Sequence, residues 1–168
     1  MLKVAKQLNQ LAFSKLMAVY TQSNQDNGAQ YYPGKTASMQ LMEAEQDFYA
    51  YLQESFFRER DNCYALWEDC GRYLSAVRLE RYKDGYLLAG LETNPDHRRK
   101  GYASRLICEV CDYLHRNGEK RLYAHIEKDN TASLRTHEKC GFVKILDHAV
   151  YIDGSVSTDA VTLLKMLK

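Results

Sequence analysis

Between Cys63 and Thr93 the chain spells three runs, CYALWED, RYLSAVRLERY and YLLAGLET, rich in aromatic, aliphatic and β-branched residues and separated by Cys70-Gly71 and Asp84-Gly85. Runs of this length divided by two-residue turn signals predict an antiparallel meander of three strands. Asp84-Gly85 reads as a hairpin turn, because both residues tolerate the positive φ of a type I′ turn. Such a sheet must bury its apolar side chains against other elements, so helices are expected before and after it.

Upstream, apolar residues at 4, 5, 8, 11, 12, 16, 19 and 20 fall in one stripe at helical period and predict an amphipathic helix from Val4 to Tyr20. Thr21 to Thr36 is rich in Gln, Asn and Gly, carries Pro33-Gly34, and reads as a loop. A second helix is predicted from about Ser38 to Arg58, with Met39, Met42, Phe48, Tyr49, Leu52 and Phe56 toward the core. Downstream, a helix starting near Gly101 buries Ala103, Leu106, Ile107, Val110 and Leu114 and stops at Asn117-Gly118. RLYAHI reads as a strand, and a short helix capped by Asn130 or Thr131 ends at Gly141. FVKILDHAVYI and AVTLLKML read as two closing strands. The expected fold class is α+β, with one mixed, mostly antiparallel central sheet flanked by helices.

The 168 residues suit one domain, 1–168, and no composition shift argues for two. A formal net charge of +1 lacks the basic footprint that nucleic acid requires. MLKVAKQLNQ lacks the apolar run of a signal peptide, and no stretch approaches the ~20 apolar residues that cross a bilayer. Five cysteines, an odd number without framework spacing, fit free thiols in a reducing compartment, so a cytoplasmic protein is expected. Cys108, Cys111 and His115 share one helix face at i, i+3 and i+7, but no second C-x-x-C completes a four-ligand set, so no metal is expected.

NPDHRRKGYASRL places Arg98, Gly101 and Ala103 at the spacing R-x-x-G-x-A where a strand ends and a helix begins. Gly101 and the small Ala103 let a phosphate approach the backbone, and the N–H groups of a first helical turn can donate to it. The helix dipole favours negative charge there, and Arg98, Arg99 and Lys100 add formal positive charge. A basic loop that merely starts a helix is the alternative reading of this pattern taken alone.

This block, followed some thirty residues later by NTASLRTHEKCGF, resembles the two signature blocks of the GNAT superfamily of N-acetyltransferases. The close match runs from Leu87 to Phe142, while the N-terminal third agrees in its two helices and lacks a recognisable first strand. The resemblance implies a three-layer α/β/α arrangement, with residues 1–60 helical on the acceptor side and 87–142 as the core that binds coenzyme A (CoA). It also implies acetyl-CoA as co-substrate, held by the backbone of Leu91 and Thr93 along its pantetheine arm, as an added strand would be. The N–H groups of Arg99, Lys100, Gly101, Tyr102, Ala103 and Ser104 would take the pyrophosphate, with Arg98 and Asn130 contributing.

The implied activity is transfer of the acetyl group to a primary amine of a small molecule or peptide, by direct attack in a ternary complex. Such an amine is mostly protonated at neutral pH, with a pKa near ~10.4, and a departing thiolate gains from a proton donor. His137, seven residues after Asn130, occupies the place of the family's tyrosine donor to sulfur. His125 stands where some relatives carry a basic Glu, and it lies on the strand face opposite Leu122, Ala124 and Ile126. Glu92 and Glu80 compete with it for the role of base. The second helix could line the acceptor site, form a homodimer surface, or simply cover the core. A non-catalytic CoA-binding sensor on the same fold is the alternative function. A nucleotide-binding protein of another class is disfavoured by the lack of a lysine-serine phosphate loop.

Overall fold

The computed structural model describes every residue from Met1 to Lys168. In chain order it comprises β1 (Leu2–Ala5), α1 (Phe13–Val19), α2 (Thr21–Tyr31), α3 (Ala37–Glu54), β2 (Cys63–Asp69), β3 (Arg72–Tyr82) and β4 (Gly85–Thr93). There follow α4 (Tyr102–Arg116), β5 (Arg121–Glu127), α5 (Thr131–Lys139), β6 (Val143–Leu146), β7 (Ala149–Val150), β8 (Val156–Ser157) and β9 (Ala160–Met166). Seven strands form one sheet in the order β1-β2-β3-β4-β5-β9-β6, in which only β4 and β5 run parallel.

Alternation along the strands divides the core between two faces. Cys63 and Ala65 of β2, with Val77, Leu79, Leu122 and Ala124, meet Leu106, Ile107, Val110 and Leu114 of α4. Tyr64 and Leu66, with Ala76, meet Leu16, Val19 and Tyr20 from the α1 region, Leu52 from α3 and Phe56 from the turn just after it. The result is the expected three-layer α/β/α order, with a mixed, mostly antiparallel sheet.

The N-terminal third departs from the sequence reading. Leu2–Ala5 is a strand that pairs with Tyr64–Trp67, and the helix is confined to Phe13–Val19. The stripe at 4, 5 and 8 satisfies helical counting, but the open edge of β2 offers Leu2–Ala5 a ladder, and Ala5 is buried there. The first strand that seemed missing is this one. Thr21–Tyr31 is a helix rather than a loop, although it buries little beyond Asn24 and Gly28. Asn24 sets its amide against the Met17 sulfur at 3.3 Å, and Gln40 of α3 donates to the Tyr32 carbonyl at the helix end. Tertiary packing overrides weak propensity here, and Pro33 stops the helix instead of marking a loop. In α3 the core side is Ala44 and Leu52, whereas Met39, Met42 and Tyr49 are exposed.

One turn and one strand also differ. Strand β3 closes on β4 through Lys83-Asp84, with Lys83 at φ 49°, and Gly85 is the first strand residue. A Cβ on Gly85 would fall inside contact distance of the Arg121 carbonyl oxygen and carbon. Gly85→Ala should therefore destabilise the protein by about 3 kcal/mol or more in chemical denaturation, because backbone on both sides must move. A loss below about 1 kcal/mol would show that the β4–β5 pairing yields easily. FVKILDHAVYI is not one strand: Val143–Leu146 pairs with β9, while Ala149–Val150 joins Val156–Ser157 in a separate two-stranded ribbon.

Candidate functional site

The parallel pairing of β4 with β5 covers only Tyr86–Leu88 against Leu122–Ala124, after which the strands part. The cause lies in β4. Between Arg78↔Ala89 and Ala76↔Glu92, Gly90 and Leu91 stand opposite the single residue Val77, a β-bulge with Gly90 at φ 61°. The buried Tyr20 hydroxyl donates to the Gly90 carbonyl at 2.6 Å and receives the Tyr64 hydroxyl at 2.8 Å, which fixes the bulge. The extra residue turns Leu91 toward the α4 side of the sheet and Glu92 toward the α1–α3 side.

Beyond β4, the Asn94 side chain accepts from the Asp96 N–H, and the chain passes through Arg99 at φ 62° and Gly101 at φ 82° into α4. None of the N–H groups from Arg99 to Ser104 has an acceptor in the protein; the first bond of the turn is Arg105 N–H to Gly101 carbonyl. Successive free amides at a helix start form a concavity suited to an anion. Facing them is the start of α5, capped by the Asn130 side chain, which accepts from the Ser133 N–H at 3.1 Å.

Between these elements lies a cleft of ≈ 810 Å³. It is lined by Leu91, Glu92, Thr93, Arg98, Arg99, Gly101, Tyr102, Ala103, Ser104 and Asn130, together with Ala132, Ser133, Arg135, Thr136 and Lys139. Of the cofactor-binding candidates, only Lys100 does not line it, its ammonium being drawn to the Asp96 carbonyl at 3.2 Å. Arg135 and Lys139 escaped the sequence reading. Their signal was the recurrence of Ala132, Arg135, Thr136 and Lys139 at three- and four-residue spacing on one helix face. Four cations, Arg98, Arg99, Arg135 and Lys139, surround a single carboxylate, Glu92. Burial pushes the Glu92 carboxyl above the usual carboxylate range, while Ser23, Arg98 and Arg78 pull it back.

The two histidines are not brought to this cleft. His137 is fully buried in α5 against Phe142, and its Nδ1 lies 2.8 Å from the Ser133 carbonyl. A carbonyl only accepts, so Nδ1 carries the proton and neutral Nε2, which has no partner, is a bare acceptor. Burial pushes this imidazole below its ordinary value of about 6.5. The depressed group contributes stability that is complete above about pH 6.5 and is lost as pH falls through its folded value, since the unfolded chain binds the proton first. His137→Phe should flatten the acid-side fall of stability below that pH, measured by denaturation across pH. An unchanged slope would mean that His137 titrates normally in the folded chain.

His125 lies, as alternation predicts, on the face opposite Leu122, Ala124 and Ile126, but there it is clamped edge-on between Tyr82 and Tyr151, with ring centroids 5.3 Å away on each side. Both its nitrogens are buried without partners, and burial, then Lys83, lowers its pKa. Glu80 pairs with Arg78 on β3, at 3.4 Å. No group of three or more His, Cys, Asp and Glu side chains is arranged to hold a metal ion.

Residues 30–142 match the model of the Acetyltransferase (GNAT) family. The uncharacterized N-acetyltransferase YjdG of Bacillus subtilis is 39% identical over 67 residues, which is 39% of each chain. Aligned segments take in only 22% to 39% of the curated relatives' own lengths. Among solved structures, the PaiA N-acetyltransferase of Thermoplasma acidophilum, in complex with coenzyme A, superposes with a TM-score of 0.61 at 12% identity over 99% of both chains. The ribosomal-protein-S18-alanine N-acetyltransferase of Escherichia coli gives 0.59 at 19% identity, over 100% of this chain and 95% of that one. With a strand parted at a bulge, a free-amide turn opening α4 and a family match spanning 113 of the 168 residues, the chain belongs to the GNAT family of acetyltransferases.

Proposed function

We propose that this chain binds acetyl-CoA in the cleft and moves its acetyl group to a primary amine by direct attack in a ternary complex. The observation that carries the reading is the run of unaccepted N–H groups from Arg99 to Ser104, set between a parted strand edge and the start of α5. That array fits a pyrophosphate, with Arg98, Arg99, Arg135 and Lys139 neutralising phosphate charge. The backbone of Leu91 and Thr93, on the open side of β4, would pair with the pantetheine arm. The CoA complex of the PaiA structure supports the choice of ligand. Residues 1–168 then act as one domain, with 87–142 as its CoA-binding core. The five free thiols fit a reducing, cytoplasmic setting.

Glu92 is the proposed base. It is the only carboxylate lining the cleft, it sits beside the bulge, and its raised pKa makes it a better proton acceptor than an exposed carboxylate. His137 is assigned to packing rather than to proton donation, because its protonated nitrogen is committed to Ser133. His125 is assigned to the aromatic clamp.

A second reading, a CoA-binding sensor without turnover, is favoured by one feature: the position of the family's tyrosine donor holds a histidine that does not reach the cleft. Thermal unfolding with acetyl-CoA or ATP tests the binding that both readings share. Acetyl-CoA at a hundred times its dissociation constant should stabilise the fold by about 2.7 kcal/mol, and ATP should do less. Equal stabilisation by ATP would contradict the pantetheine assignment. Release of free CoA thiol in the presence of amines separates the enzyme from the sensor.

A further inference from the structure

Arg78 lies outside the cofactor cleft and its role above is unassigned. Its guanidinium sits over the ring of Tyr51, 5.2 Å from the centroid, and only 24% of the side chain is exposed. Its ion-pair partner is Glu80, whose Oε1 lies 3.4 Å from Nε, and Nε makes no hydrogen bond there; Glu92 also feels its charge. The terminal nitrogens donate to nothing in the protein, although a guanidinium carries five N–H donors in a fixed fork. Only Nε is buried without a partner, so the two terminal nitrogens stay open to solvent and present the fork to an anion arriving from outside.

Its place in the sheet says where that anion would be. A Cβ built on Gly90 would lie 3.3 Å from an Arg78 terminal nitrogen, so the guanidinium stands over the bulge where β4 leaves β5. Ala76 faces Glu92 across the β3–β4 ladder, and Arg78 is two residues along on the same face. Arg78 and Glu92 are thus diagonal neighbours, a separation of roughly 7–8 Å that long side chains span. This is the α1–α3 face of the sheet, away from α4 and its phosphate turn. An amine presented to Glu92 would therefore carry its next substituent toward Arg78.

We infer that the acceptor is a carboxylate-bearing amine of the α-amino-acid type, its carboxylate held by Arg78 and its amine directed to Glu92. The inference rests on the acetyl-transfer reading. Tyr51 and Glu80 also line a neighbouring pocket of ≈ 380 Å³, with Glu54, Ser55, Phe56, Arg58, Glu59 and Asn62, into which the acceptor's side chain would extend. Because Glu54, Glu59 and Glu80 outnumber Arg58 there, a polar or basic side chain is favoured.

The test compares free α-amino acids with their own α-carboxamides, and with spermidine, as acceptors for acetyl-CoA, following product by mass. Amino acids should exceed their amides in kcat/KM by about 10- to 100-fold, the range for one charge-assisted contact. Arg78→Gln should bring that ratio close to one, and Arg78→Lys, which keeps charge but not the fork, should leave part of it. If Arg78→Gln unfolds, the parent's acid-to-amide ratio and the Lys variant still decide. Amides or spermidine acetylated as well as the acids, or a preference that survives Arg78→Gln, overturns the inference and leaves acetyl transfer standing. If no amine is acetylated, the acetyl-transfer reading falls and the inference with it.

Discussion

Glu92→Gln should lower kcat/KM for amine acetylation by roughly 10²–10⁴-fold, the range for losing a general base, while leaving acetyl-CoA affinity within a few-fold of the parent. The base works only when ionised, so activity of the parent should fall as the medium is acidified through the Glu92 pKa. Burial raises that pKa, and the acid limb should accordingly lie above the range of an exposed carboxylate. In the Gln variant this limb disappears, and residual activity climbs with pH as the free amine becomes abundant, up to its own pKa of ~10.4. His125→Ala should retain the limb. Should Glu92→Gln keep the parent's profile while His125→Ala loses it, the base is the clamped histidine.

Gly101→Val should weaken acetyl-CoA binding by about 10²–10³-fold, because a β-branched residue cannot hold φ 82° and the free amides around it would be redirected. The expected loss of stability is smaller, about 1–3 kcal/mol of backbone strain, since no atom lies within 4 Å of the added Cβ. Binding and stability thus separate, which calorimetry on the folded variant can read. Arg98→Ala should weaken binding less and lose its effect as salt rises, because the main-chain donors persist. Parental affinity in a folded Gly101→Val protein would contradict the assignment of the turn.

What could be read in advance follows from how local each signal was. The meander, α4, β5 and the Asn130 cap were legible because alternation, helical period and capping chemistry are encoded within a few residues. β1 was hidden because its four residues become a strand only when the edge of β2 is present, a contact about sixty residues away. α2 was hidden because its polar composition forecasts a loop, and only packing on Met17 and Gln40 holds it. The free-amide turn that opens α4 was legible from Arg98, Gly101 and Ala103. Arg78 and Tyr20 were not, since their meaning depends on a bulge created by Gly90 and on which sheet face it exposes. The burial of His137 was hidden for a related reason: spacing placed it on the stripe of Asn130, whereas its ring is fully buried and bonded to its own helix.

The central claim is that this cleft delivers an acetyl group to an amine. Its most direct test is to incubate the protein with acetyl-CoA and a panel of amino acids and other amines, measuring CoA thiol release and product mass together. The account predicts thiol release that depends on the amine, matched one to one by a product heavier by one acetyl group, and abolished in Gly101→Val at acetyl-CoA concentrations that saturate the parent. Tight acetyl-CoA binding with no amine-dependent release across the panel would contradict it and leave a CoA-binding sensor in its place.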